Sequence, residues 1–189
     1  MKIQILEKPL NIEDKYLVAV NNREKFVVEG YSGFFTQITI SSMGYGQALS
    51  IFRKIISIRP AYNIFINNEK ISARKAPLKF RTGSFLFNMY YCNWDNDKYE
   101  IFIHKKLKYS IFKNNVQIAG IGEDRWNMVG QDSFSLECNS DCIPELMIAF
   151  TIIIDHIYTH KVSFLGGLFA ASIGVMFEAK MYDETWQAV

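Results

Sequence analysis

The sequence predicts a mainly β domain: a many-stranded antiparallel barrel wrapped around a single hydrophobic helix near the C-terminus. Three observations point there. Aromatic residues make up 15% of the 189 residues, with 15 Phe and 10 Tyr, and half-buried pleats favour aromatic and β-branched side chains. Short runs of strand-like pattern, separated by Gly, Asn and Asp, recur along the first 138 residues, and close, regular strand spacing is the mark of a sandwich or barrel. The segment Cys142–Tyr158, CIPELMIAFTIIIDHIY, is apolar on every face and has to be enclosed.

Composition narrows the function. Hydrophobic residues are 49% and charged residues 21%, near globular averages, which excludes wholesale disorder and fibrous repeats. The net charge of +2 is too small for a dedicated nucleic-acid binder, so no nucleic-acid partner is expected. Three Cys do not make a closed disulfide framework, and the opening MKIQILEKPLNIED has no signal-peptide pattern. A cytoplasmic location is expected, free or attached at a membrane. Charge is unevenly placed: residues 1–140 hold 19 basic and 13 acidic side chains, residues 141–189 two and six.

Strands are predicted at 3–7, 25–30, 34–40, 79–91, 98–104, 107–113, 116–122 and 133–138, from period-two alternation. Gly46–Ile56, GQALSIFRKII, suits a strand or one short helix equally. No other segment before residue 141 reads as a long helix between strands, so a parallel α/β sheet is not expected. A threefold echo runs through this part. Tyr16-Leu-Val-Ala-Val-Asn21-Asn22 recurs as Tyr62-Asn-Ile-Phe-Ile-Asn67-Asn68 and Tyr109-Ser-Ile-Phe-Lys-Asn114-Asn115, at offsets of 46 and 47 residues. Each copy reads as strand, Asn-Asn turn and return strand, because Asn tolerates the positive φ of tight hairpin turns.

The helix is predicted over about 143–159, with Pro144 in its first turn and Ser140 or Asp141 as its cap. Its apolar stretch is about 14–20 Å long at 1.5 Å per residue, short of the roughly 30 Å hydrocarbon core of a membrane. Enclosure by the chain's own strands is therefore expected.

The meander of strands, followed by Asp141, Pro144 and Leu146, then Ile154, Asp155 and Tyr158, resembles the tubby C-terminal-like superfamily, which includes the LURP-one-related and phospholipid scramblase families. Tyr109–Ile121, YSIFKNNVQIAGI, is similar to a strand, turn and Gly-x-Ile strand of that group. The resemblance covers roughly residues 15–160. It implies a closed antiparallel barrel of about twelve strands around the central helix, and a non-enzymatic role; some members bind phosphoinositides or anionic membranes. The expected organisation is a barrel with its helix over 1–160 and an apolar extension over 161–189.

Within that extension, residues 162–177, VSFLGGLFAASIGVMF, carry no charge and present small-residue faces. Three readings stand: packing beside the barrel, a short membrane anchor, or docking of a protein partner or second copy. Trp186 is a candidate interface anchor.

Cys138, Cys142, His156 and His160 have zinc-finger spacing. One continuous helix between the pairs would hold Cys142 and His156 about 21 Å apart, so no metal site is expected. Asp95 and Asp97 lack the Gly and Glu of a calcium loop, and Cys92 reads as a small buried apolar residue. No cofactor motif is present. Basic residues cluster at Arg53, Lys54 and Arg59, at Arg74, Lys75, Lys79 and Arg81, and at Lys105, Lys106, Lys108 and Lys113. They read either as solvated strand edges or as an anionic-lipid patch. The last two clusters are the candidate lipid-binding set. Phe65, Phe102 and Phe112 lie between polar neighbours. They read either as cross-strand pairs or as an exposed aromatic stripe for a partner. The leading expectation is a membrane-proximal binding module for anionic phospholipid or phosphoinositide. The alternative is a protein-interaction subunit.

Overall fold

Alternating side chains set the sheet. In the computed structural model, residues 1–8, 13–31, 37–44, 46–53, 61–66, 78–79, 89–94, 96–104, 108–126, 131–165 and 182–189 are described. Twelve strands follow in chain order: β1 Lys2–Lys8, β2 Glu13–Val20, β3 Arg23–Tyr31, β4 Gln37–Ser42, β5 Gly46–Arg53, β6 Ala61–Ile66, β7 Leu78–Lys79, β8 Met89–Trp94, β9 Asp97–Ile103, β10 Lys108–Lys113, β11 Val116–Trp126 and β12 Gln131–Cys138. Eleven have six or more residues and β7 has two. The helix α1 spans Pro144–Leu165. Of the 46–56 segment, open between strand and helix, residues 46–53 form β5, and 54–56 lie outside the described residues. The long strand expected over 79–91 is represented by the ends of β7 and β8, since residues 80–88 lie outside the described residues.

All twelve strands form one antiparallel sheet in the order β7-β6-β5-β4-β3-β2-β1-β12-β11-β10-β9-β8. Ile3, Ile5, Val18, Val28, Ile40, Ile51, Tyr99, Ile121 and Leu136 project from one face into a single core. The expected full closure is not shown by hydrogen bonds. The edge strands β7 and β8 approach within 8 Å at their Cα atoms, but no ladder joins them among the described residues. A two-residue β7 offers few backbone groups for such a ladder.

The helix fills the space this sheet curls around. Eleven consecutive residues, Leu146–His156, are all buried, so no face of this stretch meets water. Strands far apart in the sheet touch it: β1 and β5 pack against it, β9 places the Tyr99 ring 5.7 Å from Phe150, and β6 reaches His156. Each fully buried Leu, Ile, Met or Phe contributes roughly 1.5–3 kcal/mol. Thr151, the one polar residue between Leu146 and Ile154, donates its hydroxyl to the Met147 carbonyl at 2.9 Å, a local bond that satisfies it. Ile143 occupies the position expected for Ser140 or Asp141: its carbonyl accepts from the Met147 N–H. The helix outruns the expected end near 159 and takes in Val162–Leu165; residues 166–177 lie outside the described residues.

The echo has a structural counterpart in two copies. Asn21 and Asn22 have φ of 50° and 63°, Asn114 and Asn115 of 49° and 70°. The Asn21 N–H donates to the Lys2 carbonyl at 2.8 Å, and its Oδ1 accepts the Lys2 N–H at 2.9 Å. Asn114 repeats both bonds with Lys98, each at 2.8 Å. A bulge follows two residues after the tyrosine in both copies, between Val18 and Ala19 and between Ile111 and Phe112. Asn67 and Asn68 lie outside the described residues. Asn115→Ala is expected to cost up to about 1 kcal/mol in urea unfolding, because Ala lacks the short amide whose local hydrogen bonding eases the left-handed region for Asn. Asn115→Gly should cost less than the Ala variant, because Gly adopts this positive φ without a Cβ clash.

Candidate functional site

Inside the sheet, one polar cluster interrupts the core. Asp155 and His156 are buried on α1. The Tyr16 hydroxyl donates to Asp155 Oδ2 at 2.6 Å, and the Tyr62 hydroxyl is 2.8 Å from His156 Nδ1. Both tyrosines open a copy of the echo, so the repeat supplies inward hydroxyls where the helix carries two buried ionisable groups. The sequence placed the tyrosines at matching positions, but only folding showed what they meet. Tyr109, which opens the third copy, is buried too.

On the outer face, the C-terminal segment lies across β9–β11. Tyr182 packs its ring 5.1 Å from His104, and Lys108 Nζ sits 4.6 Å from the Tyr182 ring centre. Glu184 pairs with Lys108 at 3.3 Å. Trp186 lies over Gly120, where a Cβ would stand 3.5 Å from the indole. Val189 donates its N–H to Asn139 Oδ1 at 3.0 Å and accepts from the Ser140 N–H at 2.8 Å. Trp186, the expected partner anchor, is thus engaged within the chain. Beside this segment Ser110 Oγ lies 2.6 Å from His104 Nε2. A hydroxyl–imidazole pair can generate a nucleophile, but Ser110 is only 1% exposed, and its neighbour across the ladder, Gly120, carries the indole.

The predicted basic residues separate. Lys108 and Lys113 stand at opposite ends of β10. Lys113 pairs with Asp97 at 2.9 Å, which holds the Asp97 carboxyl below its usual range, chiefly through that bond and the one from Asn114. Lys79 stands in β7 opposite Ala61. Arg74, Lys75, Arg81, Lys105 and Lys106 lie outside the described residues. Between Arg53 and Arg81 the chain has eight basic residues and one acidic one, Glu69. Register places Arg53 opposite Tyr62 and Lys79 opposite Ala61, so both mark the same end of β5–β7.

The aromatics separate as well. Phe102 and Phe112 form an edge-to-face pair with ring centres 5.4 Å apart, and Phe102 is buried. Phe65 pairs instead with Phe52 on β5–β6 at 5.3 Å, so the three do not make one stripe. Cys138 and Cys142 sit before the helix and His156 near the far end of its buried stretch; among the described residues no group of three His, Cys, Asp or Glu side chains could hold a metal ion. Burial pushes the Cys92 and Cys138 thiols up to about 12 and raises that of Cys142, so none of these thiols is activated. A small open cleft at the helix start is lined by Tyr99, Lys113, Ile118, Asp141, Cys142 and Met147. Among the described residues no helix is long and apolar enough to cross a membrane.

Comparison with known proteins agrees with this architecture. Neither the curated proteins nor the solved structures give a match. The family model for LURP-one-related proteins matches residues 1–155, which takes in every strand and the buried part of α1 up to Asp155. The chain belongs to the LURP-one-related family, within the tubby-like superfamily.

Proposed function

We propose that this chain is a non-enzymatic module that binds the anionic surface of phospholipid membranes, through phospholipid or phosphoinositide headgroups. The observation that carries this reading is the basic excess of the sequence from Arg53 to Arg81, eight basic residues against one acidic, of which Arg53 and Lys79 stand at one end of β5–β7. Each Lys or Arg held near an acidic membrane contributes about 1 kcal/mol. Family membership supports the same reading. The apolar helix is consumed as core, so the sheet is left to make the contacts. The reading takes the sheet as a cylinder around α1, which the all-round burial of Leu146–His156 supports. A partner-binding role has one specific observation in its favour: Phe52, 37% exposed on the outer face, beside Phe65.

Vesicle flotation tests the proposal. The protein should float with vesicles containing phosphatidylglycerol at low salt and not with phosphatidylcholine alone. Converting Arg74, Lys75, Lys79 and Arg81 together to Glu should weaken binding by at least about a hundredfold, four charges at roughly 1 kcal/mol each. No flotation of the wild-type protein with acidic vesicles at low salt would refute the reading.

A further inference from the structure

The outer face of β9–β11 is covered where its neighbours are open. Tyr99, Ile101, Tyr109, Ile111 and Ile121 belong to the core, so the alternate side chains of these strands point away from it. Register sets Ser110 between Phe102 and Gly120 on that outer side. His104 follows β9 and donates its N–H to the Lys108 carbonyl. Outward residues of the adjoining strands, Gln4 and Leu6 of β1 and Ser135 and Glu137 of β12, are exposed, as the solvated side of an antiparallel sheet should be. Ser110 and His104 are instead 1% and 7% exposed. The segment 182–189 lies over this patch, with the Tyr182 ring against His104. Both of its rings converge on Gly120, where a Cβ would stand 3.5 Å from the Trp186 indole and 3.7 Å from the Tyr182 hydroxyl.

The seat belongs to the sheet, and its occupant is held lightly. Asp183, Glu184, Thr185 and Gln187 are exposed, and Tyr182 and Trp186 are half-buried. The Lys108–Glu184 pair is open to water, with side chains 37% and 80% exposed, and such pairs contribute little. Two hydrogen bonds tie the Val189 main chain to Asn139 and Ser140. The strands below are joined by their own ladders, β9 to β10, β10 to β11 and β11 to β12, and the segment adds no strand to them. Its release therefore breaks no strand pairing, the kind of local opening that costs far less than global unfolding. What it bares is already formed: a glycine floor where an indole rests, a lysine that meets both a carboxylate and a ring face, and the polar edge of His104 and Ser110.

The occupant shows which pattern fits. Tyr182 meets His104 and Lys108, Glu184 meets Lys108, and Trp186 meets Gly120, so the three contacts fall on every second residue. Trp and Tyr are the side chains that dominate binding energy at protein contacts, and the acid sets the register against the one cation. We infer that the outer face over Ser110 and Gly120 is a docking seat for a short segment of a protein partner with the pattern aromatic-x-acidic-x-aromatic, and that residues 182–189 fill it in cis until the partner displaces them. The seat takes a protein segment rather than a lipid headgroup because it holds two rings for one charge. It is independent of the lipid-binding reading, which uses β5–β7.

Peptide binding to the full chain tests this. Tyr182→Ala together with Trp186→Ala empties the seat without altering the sheet. A fluorescein-labelled peptide of sequence MYDETWQAV should bind this variant, read by anisotropy. It should bind the wild-type chain at least about tenfold more weakly, because a tethered segment competes at an effective concentration on the order of millimolar. The same peptide with Ala in place of both aromatic residues should not bind. In the emptied chain, Gly120→Leu should abolish binding by filling the place of the indole, whereas Gly120→Ala should not, since 3.5 Å is ordinary contact. Lys108→Glu should weaken binding several-fold by setting like charges together. No binding to the emptied, folded chain at about 1 mM peptide, equal affinity for the wild-type chain, or indifference to Gly120→Leu overturns the inference. A wild-type dimer that becomes a monomer on emptying the seat overturns it in favour of a second copy. Stronger flotation of the emptied chain with phosphatidylglycerol vesicles overturns it in favour of lipid. A second measurement needs no variant: in native-state hydrogen exchange the Ser140 amide, which donates to the Val189 carbonyl, should exchange at least about a hundredfold faster than the amides of the β10–β11 ladder. Equal protection would show a segment that does not leave, and would overturn the displacement.

Discussion

Replacing Phe150 with Ala should lower the unfolding free energy by about 3–5 kcal/mol, the cost of a cavity where a large core ring stood. Phe150 is fully buried and lies against Tyr99 of β9, on a helix whose neighbours from Leu146 to His156 are all buried. Urea unfolding gives the measurement: the midpoint should fall while the slope stays constant. Phe52→Ala, on the outer face and 37% exposed, makes the comparison and should cost under about 1 kcal/mol if the two faces differ as described. Equal losses at the two positions would mean that α1 is not the enclosed core, and the account of the fold would fail with it.

Tyr16→Phe should cost about 1–3 kcal/mol, because a buried acceptor loses a donor held at 2.6 Å. Tyr16 and Asp155 each make further interactions, so neither is stripped bare. A double-mutant cycle isolates the contact: Tyr16→Phe, Asp155→Ala and the pair together should show a coupling of at least about 1 kcal/mol. A coupling near zero would mean that the hydroxyl does not hold the helix. Tyr62→Phe should follow the same direction through His156. These contacts fix the axial position of α1, since an otherwise apolar helix of this kind could slide without losing much buried area.

Much of the fold was legible in the chain. The Asn-Asn pairs marked hairpin turns because few residues accept a positive φ, and the two described pairs have it. The all-apolar segment after Ile143 demanded enclosure because no face of it tolerates water, and every residue from Leu146 to His156 is buried. Gly46–Ile56 was ambiguous because a short apolar run suits both periodicities; pairing with β4 and β6 made it a strand. The candidate site was less legible. Lys105, Lys106, Lys108 and Lys113 are close in sequence, yet the strand separates Lys113 from Lys108 by its whole length. Phe65, Phe102 and Phe112 share a sequence context, yet register gives Phe65 a different partner.

By itself the sequence determined the class of fold, the turns, the enclosed helix and the family. Those depend on local conformational preference and on the hydrophobic character of contiguous residues, which a linear string displays. Only the tertiary structure decided which distant residues meet: Tyr16 with Asp155, Tyr62 with His156, Trp186 with Gly120. Such pairings follow from strand direction and register, which are set by hydrogen bonds between segments far apart in the chain, and no local pattern encodes them.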